Sequence, residues 1–363
     1  MKYFNFDYFA VFKEAGITKQ CAFRIKRIKE CNNGKILFIV PCLIGDFVAT
    51  LPAIINFMEK YREKTFDIVV TPNIKVLAEK IVRIGHVYTT GSIVKRKEEG
   101  DKNDQIHGEY EKVIILRSSH DVLKHIIPYI KTKYVITKIR EIAKYSLFEL
   151  FKNNIFRRRP MQWRDFNFTL LGGTPQHMSI DRMFSFTTED YEQISKLHDM
   201  SHSKKNIIIH TGASWPMMYW PKERWVSLLE KLDGYGKFNF IFIGSEKDRV
   251  DYDYITSRLS FPTHSVIGNM NLLNLTLLFI KCDLFLGIDS GPGNIAHLVG
   301  LPSIILYGPG PHTFMSHHKN DVIIDKSRGR GFYQRFFIKK KGFIHKITVS
   351  EVFDAFKKLI LTK

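Results

Sequence analysis

A chain of 363 residues is longer than one hydrophobic core usually serves, and it predicts two domains. With 44% hydrophobic and 25% charged residues the composition is that of a folded soluble protein, and no apolar run approaches the roughly 20 residues of a membrane-spanning helix. The net charge of +19 favours an anionic partner, and the excess lies mostly in residues 1–180, with 31 basic and 18 acidic side chains against 24 and 18 beyond.

In chain order, residues 1–34 read as an N-terminal extension rich in aromatic and basic residues. Phe4, Phe6, Phe9 and Phe12 precede Arg24, Lys26, Arg27 and Lys29, a pattern suited to an interfacial anchor on anionic lipid. The N-terminus lacks the order of charge, apolar block and small-residue site of a signal peptide. Cys21, Cys31, Cys42 and Cys282 show no metal-binding or redox spacing, so reduced thiols and a cytoplasmic setting are expected.

A βα rhythm begins at Lys35. KILFIV reads as a buried strand, followed by a Gly45-Asp46 turn and the helical run FVATLPAIINFMEKY. FDIVV, KVIIL and KYVIT repeat the strand theme, with amphipathic stretches between some of them. The periodicity lapses at LLGGTPQHMSIDR (170–182) and restarts at NIIIH. There follow ERWVSLLEKL, FNFIFIG, LLNLTLLFIK, DLFLGI, NIAHLV and SIILYG, then a closing amphipathic helix over 349–362. Such alternation predicts parallel sheets covered on both faces, in two doubly wound α/β halves. Ligands of such sheets bind at the carboxyl ends of the strands.

Three post-strand segments carry candidate chemistry. In GIDSGPGNIAHLVGLP, Ser290 is placed to cap a helix, Pro292 fits its first turn, and Gly300 with Pro302 ends it. Asp289 to Gly291 then lie at a helix N-terminus, where free N–H groups and the helix dipole suit phosphate. In PCLIGDFVATLP, Gly45 permits a turn and Asp46 is either a cap or a carboxylate able to take a proton from a substrate hydroxyl. In HTGASWPMMYWPKERW, a strand ends at His210 before Thr211, Gly212, Ala213 and Ser214. Core packing accounts for Trp220 and Trp225 there.

Together, in this order and spacing, the segments resemble the bacterial lipopolysaccharide heptosyltransferases. GDFVATLPAI resembles that family's Gly-Asp turn and T-x-P-A helix, Thr211 to Trp225 its Gly-Ala-Ser-Trp-Pro loop, and Asp289 to Pro309 its donor-site segment. The resemblance implies a GT-B glycosyltransferase of two Rossmann-like domains, inverting and metal-independent, without a cofactor. Residues 35–180 would bind the acceptor, the lipopolysaccharide core. Residues 181–345 would bind a nucleotide sugar such as ADP-heptose, and 346–363 would close the fold. Asp46 would be the base, beside Gly45 on the acceptor side. Thr211, Gly212, Ser214, Lys222, Asp289, Ser290, Gly291 and Asn294 would hold the donor, with Glu246 at the ribose and Met270 near the adenine.

Two positions depart from the family pattern. Met218 stands where the family has a basic residue facing the donor phosphate, leaving Lys222 or Arg224 to supply the charge. Asn294 replaces a histidine, with His297 one turn on. Both put the donor's identity in question and leave open another nucleotide sugar, another surface glycan, or a catalytically silent nucleotide-sugar or glycolipid binder. Binding of nucleic acid finds no motif to accompany the charge. A dinucleotide oxidoreductase lacks its G-x-G-x-x-G turn. The acidic cytoplasmic face of the inner membrane is the expected working place, reached peripherally.

Overall fold

Short runs of Ile, Val, Leu and Phe build two separate sheets, one in each of two compact units, Met1–Ser185 and Phe186–Lys363. The structure, a computed structural model, describes residues 23–25, 33–90, 106, 108–116, 126, 130–137, 163–197, 204–213, 218–308, 321–326 and 343–361.

In the first unit the chain runs β1 (Phe23–Ile25), β2 (Lys35–Ile39), α1 (Ile44–Lys60), β3 (Thr65–Val70), α2 (Pro72–Ala78), β4 (Ile84–Thr89), β5 (Gly108–Ile115), β6 (Ile130–Thr137), α3 (Trp163–Leu170) and α4 (Ile180–Met183). The sheet order is β1-β6-β5-β2-β3-β4. All neighbours are parallel except β1, which lies antiparallel on β6 with Phe23 opposite Thr137. Strand β1 thus draws part of the segment read as an extension into the sheet. Strand β2 pairs with both β3 and β5, so the winding reverses there and opens a switch point at its carboxyl end.

Helix α1 follows directly from that end and buries Phe47, Val48, Leu51, Ile54, Ile55 and Met58. It begins at Ile44 rather than after a Gly-Asp turn. Leu43 occupies the N-cap position, and Gly45 and Asp46 form part of the first helical turn. The carboxylate therefore sits where the helix dipole favours negative charge, without acting as the cap.

The second unit contains α5 (Thr188–Leu197), β7 (Lys205–His210), α6 (Lys222–Asp233), β8 (Phe238–Phe242), a 3₁₀ turn (Glu246–Asp248), α7 (Arg249–Thr256), β9 (His264–Ser265), α8 (Leu272–Lys281), β10 (Leu284–Ile288), α9 (Gly291–Leu298), β11 (Ser303–Tyr307), β12 (Asp321–Asp325) and α10 (Val349–Leu361). Its sheet is wholly parallel in the order β12-β11-β10-β7-β8-β9, so the switch point lies between β7 and β10. Strands β10 and β11 are buried at every position, as a sheet covered on both faces requires.

Trp225, Leu228, Leu229 and Leu232 of α6 pack with Val352 and Phe356 of α10 in the core of this unit. Trp220 meets Trp225 edge-on at 5.0 Å and donates its indole N–H to the Ile347 carbonyl at 3.0 Å, as core tryptophans do. Among the described residues no helix is long and apolar enough to cross a membrane.

Candidate active site

Parallel pairing fixes the register at the second switch point: Gly287 of β10 lies opposite His210 of β7. The residues just beyond are therefore neighbours, Thr211 and Gly212 on one side and Asp289, Ser290 and Gly291 on the other. This closeness needs glycine, because a Cβ on Gly287 would come within 3.0 Å of the His210 carbonyl oxygen.

Helix α9 starts here. Its far end is a Schellman closure: Gly300 takes φ +73°, its N–H reaches the His297 carbonyl, and the Leu301 N–H reaches that of Ala296. At the near end Ser290 occupies the N-cap position in extended conformation, but its hydroxyl caps nothing. It lies 3.0 Å from His210 Nδ1 and donates to the Ile288 carbonyl at 3.0 Å. The expected side-chain cap is replaced because a buried histidine is the better-placed partner. Asn294 donates its side-chain N–H to the Ser290 carbonyl at 3.2 Å, and the Asn294 Oδ1 is buried without a hydrogen-bond partner among the described residues. His297 faces away from this turn and pairs with Asp321 at 3.2 Å.

Asp248 lies beneath the loops. Its carboxylate accepts from the Ser245 N–H at 2.7 Å and the Ser245 hydroxyl at 2.9 Å. Both Gly212 and Gly244 lie over it, so closely that a Cβ on either would overlap the Asp248 carboxyl group. Asp248 and His210 are two residues that sequence reading missed. Their only advance signal was position, one at a strand end and one three residues after a turn serine.

Burial lowers the His210 pKa to about 4 from 6.5, with the nearby Asp248 charge partly opposing the shift. The folded chain thus excludes a proton that the unfolded chain takes up below pH 6.5. Stability is complete above that value, falls as pH drops toward 4, and loses nothing more below it. Between pH 7 and pH 5 the loss from this group is about 2 kcal/mol. Chemical denaturation at the two pH values checks this: the His210→Asn protein should lack that increment, and an identical pH loss in both proteins would exclude His210 as its source.

Glu246 meets Gly268 at the next loop pair, and Met270 follows two residues after that glycine. The Gly268 N–H bonds to the Gly244 carbonyl at 3.0 Å, and Gly268, with φ +74°, leaves room for the Glu246 carboxylate where a Cβ would stand. Arg249 engages both Glu246 oxygens, Nε to Oε2 at 2.7 Å and Nη2 to Oε1 at 2.8 Å, and donates to the Ile267 carbonyl. Those bonds hold the Glu246 carboxyl below its usual pKa, leaving an oriented anionic acceptor that is largely exposed.

Other expected donor residues are placed differently. Lys222 holds its ammonium 4.0 Å from the Tyr254 ring centroid, and Arg224 spends one guanidinium nitrogen on the carbonyls of His345 and Ile347. Neither is aimed at the α9 turn. Met218 instead packs beside Gly308 after β11, where a Cβ on that glycine would be 3.2 Å from the Met218 Cγ. Ser214 lies outside the described residues.

In the first unit Asp46 is half-buried at the end of β2's connection. Its carbonyl accepts from Thr50 Oγ1 at 2.7 Å, and Asn167 of α3 donates to that hydroxyl at 2.9 Å. The fully buried Asn167, a third residue the sequence did not reveal, pins the turn that carries the carboxylate. Among the described residues no cluster of His, Cys, Asp and Glu is arranged to hold a metal ion.

Comparison with known proteins bears on the family and the fold. The profile of glycosyltransferase family 9 (heptosyltransferase) matches residues 109–331. Lipopolysaccharide heptosyltransferase 3 of Escherichia coli is 20% identical over 297 residues, covering 77% of this chain and 85% of that protein. The glycosyl transferase family 9 structure from Veillonella parvula superposes with a TM-score of 0.69 at 15% identity, covering 93% of this chain and all of the other. The E. coli ADP-heptose lipopolysaccharide heptosyltransferase II gives 0.64 at 17% identity, covering 90% and 99%. The two Rossmann-like sheets are those of the GT-B fold, and the chain belongs to glycosyltransferase family 9, the heptosyltransferases.

Proposed function

We propose that this glycosyltransferase moves a heptose from ADP-heptose onto the lipopolysaccharide core by an inverting, metal-independent reaction. The observation that carries the reading is the α9 N-terminus at the switch point, with a serine hydroxyl turned away from its amides. Asp46 takes the proton of the acceptor hydroxyl, whose oxygen attacks the anomeric carbon. The bond from that carbon to the diphosphate breaks, and its electron pair leaves on the nucleoside diphosphate. The Gly291 and Gly293 amides stabilise that charge, a donor of this kind contributing roughly 3 kcal/mol. Asp289 holds the loop or the sugar, Glu246 the ribose hydroxyls, and Met270 packs near the adenine.

The test is turnover of purified protein with a panel of nucleotide sugars and isolated core acceptor, with and without EDTA. Transfer from ADP-heptose that survives EDTA is the expected result. Strict dependence on added metal, or transfer from another donor only, overturns the corresponding part. Met218 favours the second possibility, a different nucleotide sugar, because the family's phosphate-facing cation is missing at that position.

Met218 allows a direct check. A charge-assisted contact contributes about 1.5–3 kcal/mol, so Met218→Lys should tighten donor binding roughly 10- to 100-fold in calorimetry. Lys222→Ala should leave affinity unchanged, since its ammonium already faces Tyr254. The opposite pattern would mean that Lys222 is the relocated phosphate cation.

The charge excess of the first 180 residues suits a phosphate-rich acceptor at the cytoplasmic face of the inner membrane. Phe4, Phe6, Phe9 and Phe12 lie outside the described residues. Deleting residues 1–20, which stops short of β1, should lower cosedimentation with anionic vesicles and leave the thermal transition in place. Equal vesicle binding would remove the anchor.

A further inference from the structure

We propose that His210 is a positioning residue of the donor site, one that keeps the Ser290 hydroxyl off the α9 amides and so leaves them to the diphosphate; this rests on the donor reading above. A serine at an N-cap ordinarily turns its oxygen onto the second or third amide of the helix. Here the second residue is Pro292, which has no N–H, so Gly293 offers the amide that a capping Ser290 would take. A capped Gly293 amide would be occupied by the protein's own hydroxyl and lost to an anion.

The geometry prevents this from both sides. A hydroxyl has one proton, and Ser290 gives it to the Ile288 carbonyl at 3.0 Å. The contact at 3.0 Å to His210 is therefore a bond from Nδ1–H to Oγ, which takes one of the oxygen's two lone pairs and holds it on the sheet side, off the helix amides. Asn294 fixes the backbone of the same residue through its carbonyl. His210 is 6% exposed and sits at the last position of β7, in register with Gly287, so it has little freedom to give way. Its neutral form suits the task, because the bond needs only a proton on Nδ1.

The experiment uses the full chain and isothermal titration with ADP, AMP and adenosine, so that the phosphate contribution is separated from that of the nucleoside. His210→Leu removes the donor and frees the hydroxyl to swing to Gly293. Its affinity for ADP should fall about tenfold, with adenosine affinity unchanged. His210→Asn, whose side-chain N–H can stand in for Nδ1–H, should retain most of the ADP affinity. The decisive protein is the double variant His210→Leu/Ser290→Ala: without a competing hydroxyl it should bind ADP as Ser290→Ala alone does.

If wild-type protein gains nothing from the second phosphate, the donor reading fails and this proposal with it. If wild-type protein does prefer ADP but His210→Leu binds it equally well, only the role of His210 falls. A double variant as weak as His210→Leu would also overturn the role, since the loss would then come from distortion of the strand end. Melting curves of all variants identify any that do not fold, and the Ser290→Ala pair carries the test from the other side of the bond.

Discussion

On the base role proposed for Asp46, Asp46→Asn should lower turnover by roughly 100-fold or more, with donor affinity within about twofold of wild type. Asparagine keeps the size and the place in the first turn of α1 but cannot accept the acceptor's proton at working pH. The barrier rises by about 2.7 kcal/mol for each hundredfold loss. Donor affinity is spared because every residue assigned to the donor lies in the other unit. Folding is spared because the N-cap position belongs to Leu43, and the Thr50–Asn167 pair holds the backbone carbonyl of residue 46, which the substitution leaves untouched. Single-turnover kinetics with saturating donor, beside calorimetric titration, separates these effects. Near-normal turnover would reduce Asp46 to a favourable charge at a helix start.

The second large effect is structural, and it falls on a residue with no side chain. Gly212→Ala places a methyl group onto the Asp248 carboxylate, which is buried and tied to Ser245 by two hydrogen bonds. Asp248 cannot turn aside without leaving those donors unpaired, and Gly244 also crowds it, a Cβ there standing 2.7 Å from the Asp248 Oδ2. Overpacking and the loss of buried hydrogen bonds together should cost about 3 kcal/mol. For a unit of this size that is a fall of roughly 6–12 °C in the transition of the second unit, seen by scanning calorimetry. Gly234→Ala is the comparison. Gly234 adopts right-handed helical angles at the end of α6, where a Cβ would meet the Glu230 carbonyl oxygen at 3.6 Å, an ordinary contact. That substitution should be neutral or stabilising. Equal transitions for the two alanine proteins would show that the Gly212 loop yields freely.

The fold was legible because its signals are local. KILFI, FDIVV, NIIIH and SIILY each hold an unbroken run of at least three apolar residues, as a strand buried on both faces requires, and helical periods separate many of them. The second half's closing helix, Val349–Leu361, and the C-terminal Gly300 of α9 were readable for the same reason: periodicity and turn chemistry act within a few residues. Strand β1 was not readable, since three residues of mixed apolar and basic character gain their place only from the edge of β6. The start of α1 lies at Ile44 rather than Phe47, since the Phe47 N–H bonds to the Leu43 carbonyl and closes a first turn over Gly45, against that residue's own preference.

At the candidate site, sequence by itself determined which residue types stand after which strand: Asp46 after β2, Thr211 and Gly212 after β7, Glu246 after β8, Asp289 to Gly291 after β10. Tertiary structure decided what those residues do to one another. His210 and Ser290 are 80 positions apart, and parallel pairing of β7 with β10 alone brings them to hydrogen-bond distance. Asp248 underlies Gly212 because β7 and β8 are neighbours, and Asn167 reaches the α1 turn across 117 residues. Lys222 was a plausible phosphate ligand on charge alone, yet the start of α6 aims its ammonium at Tyr254. The physical reason is that spacing along the chain fixes an element and its end, whereas the direction of a side chain depends on the neighbour it meets, and that neighbour is set by sheet order.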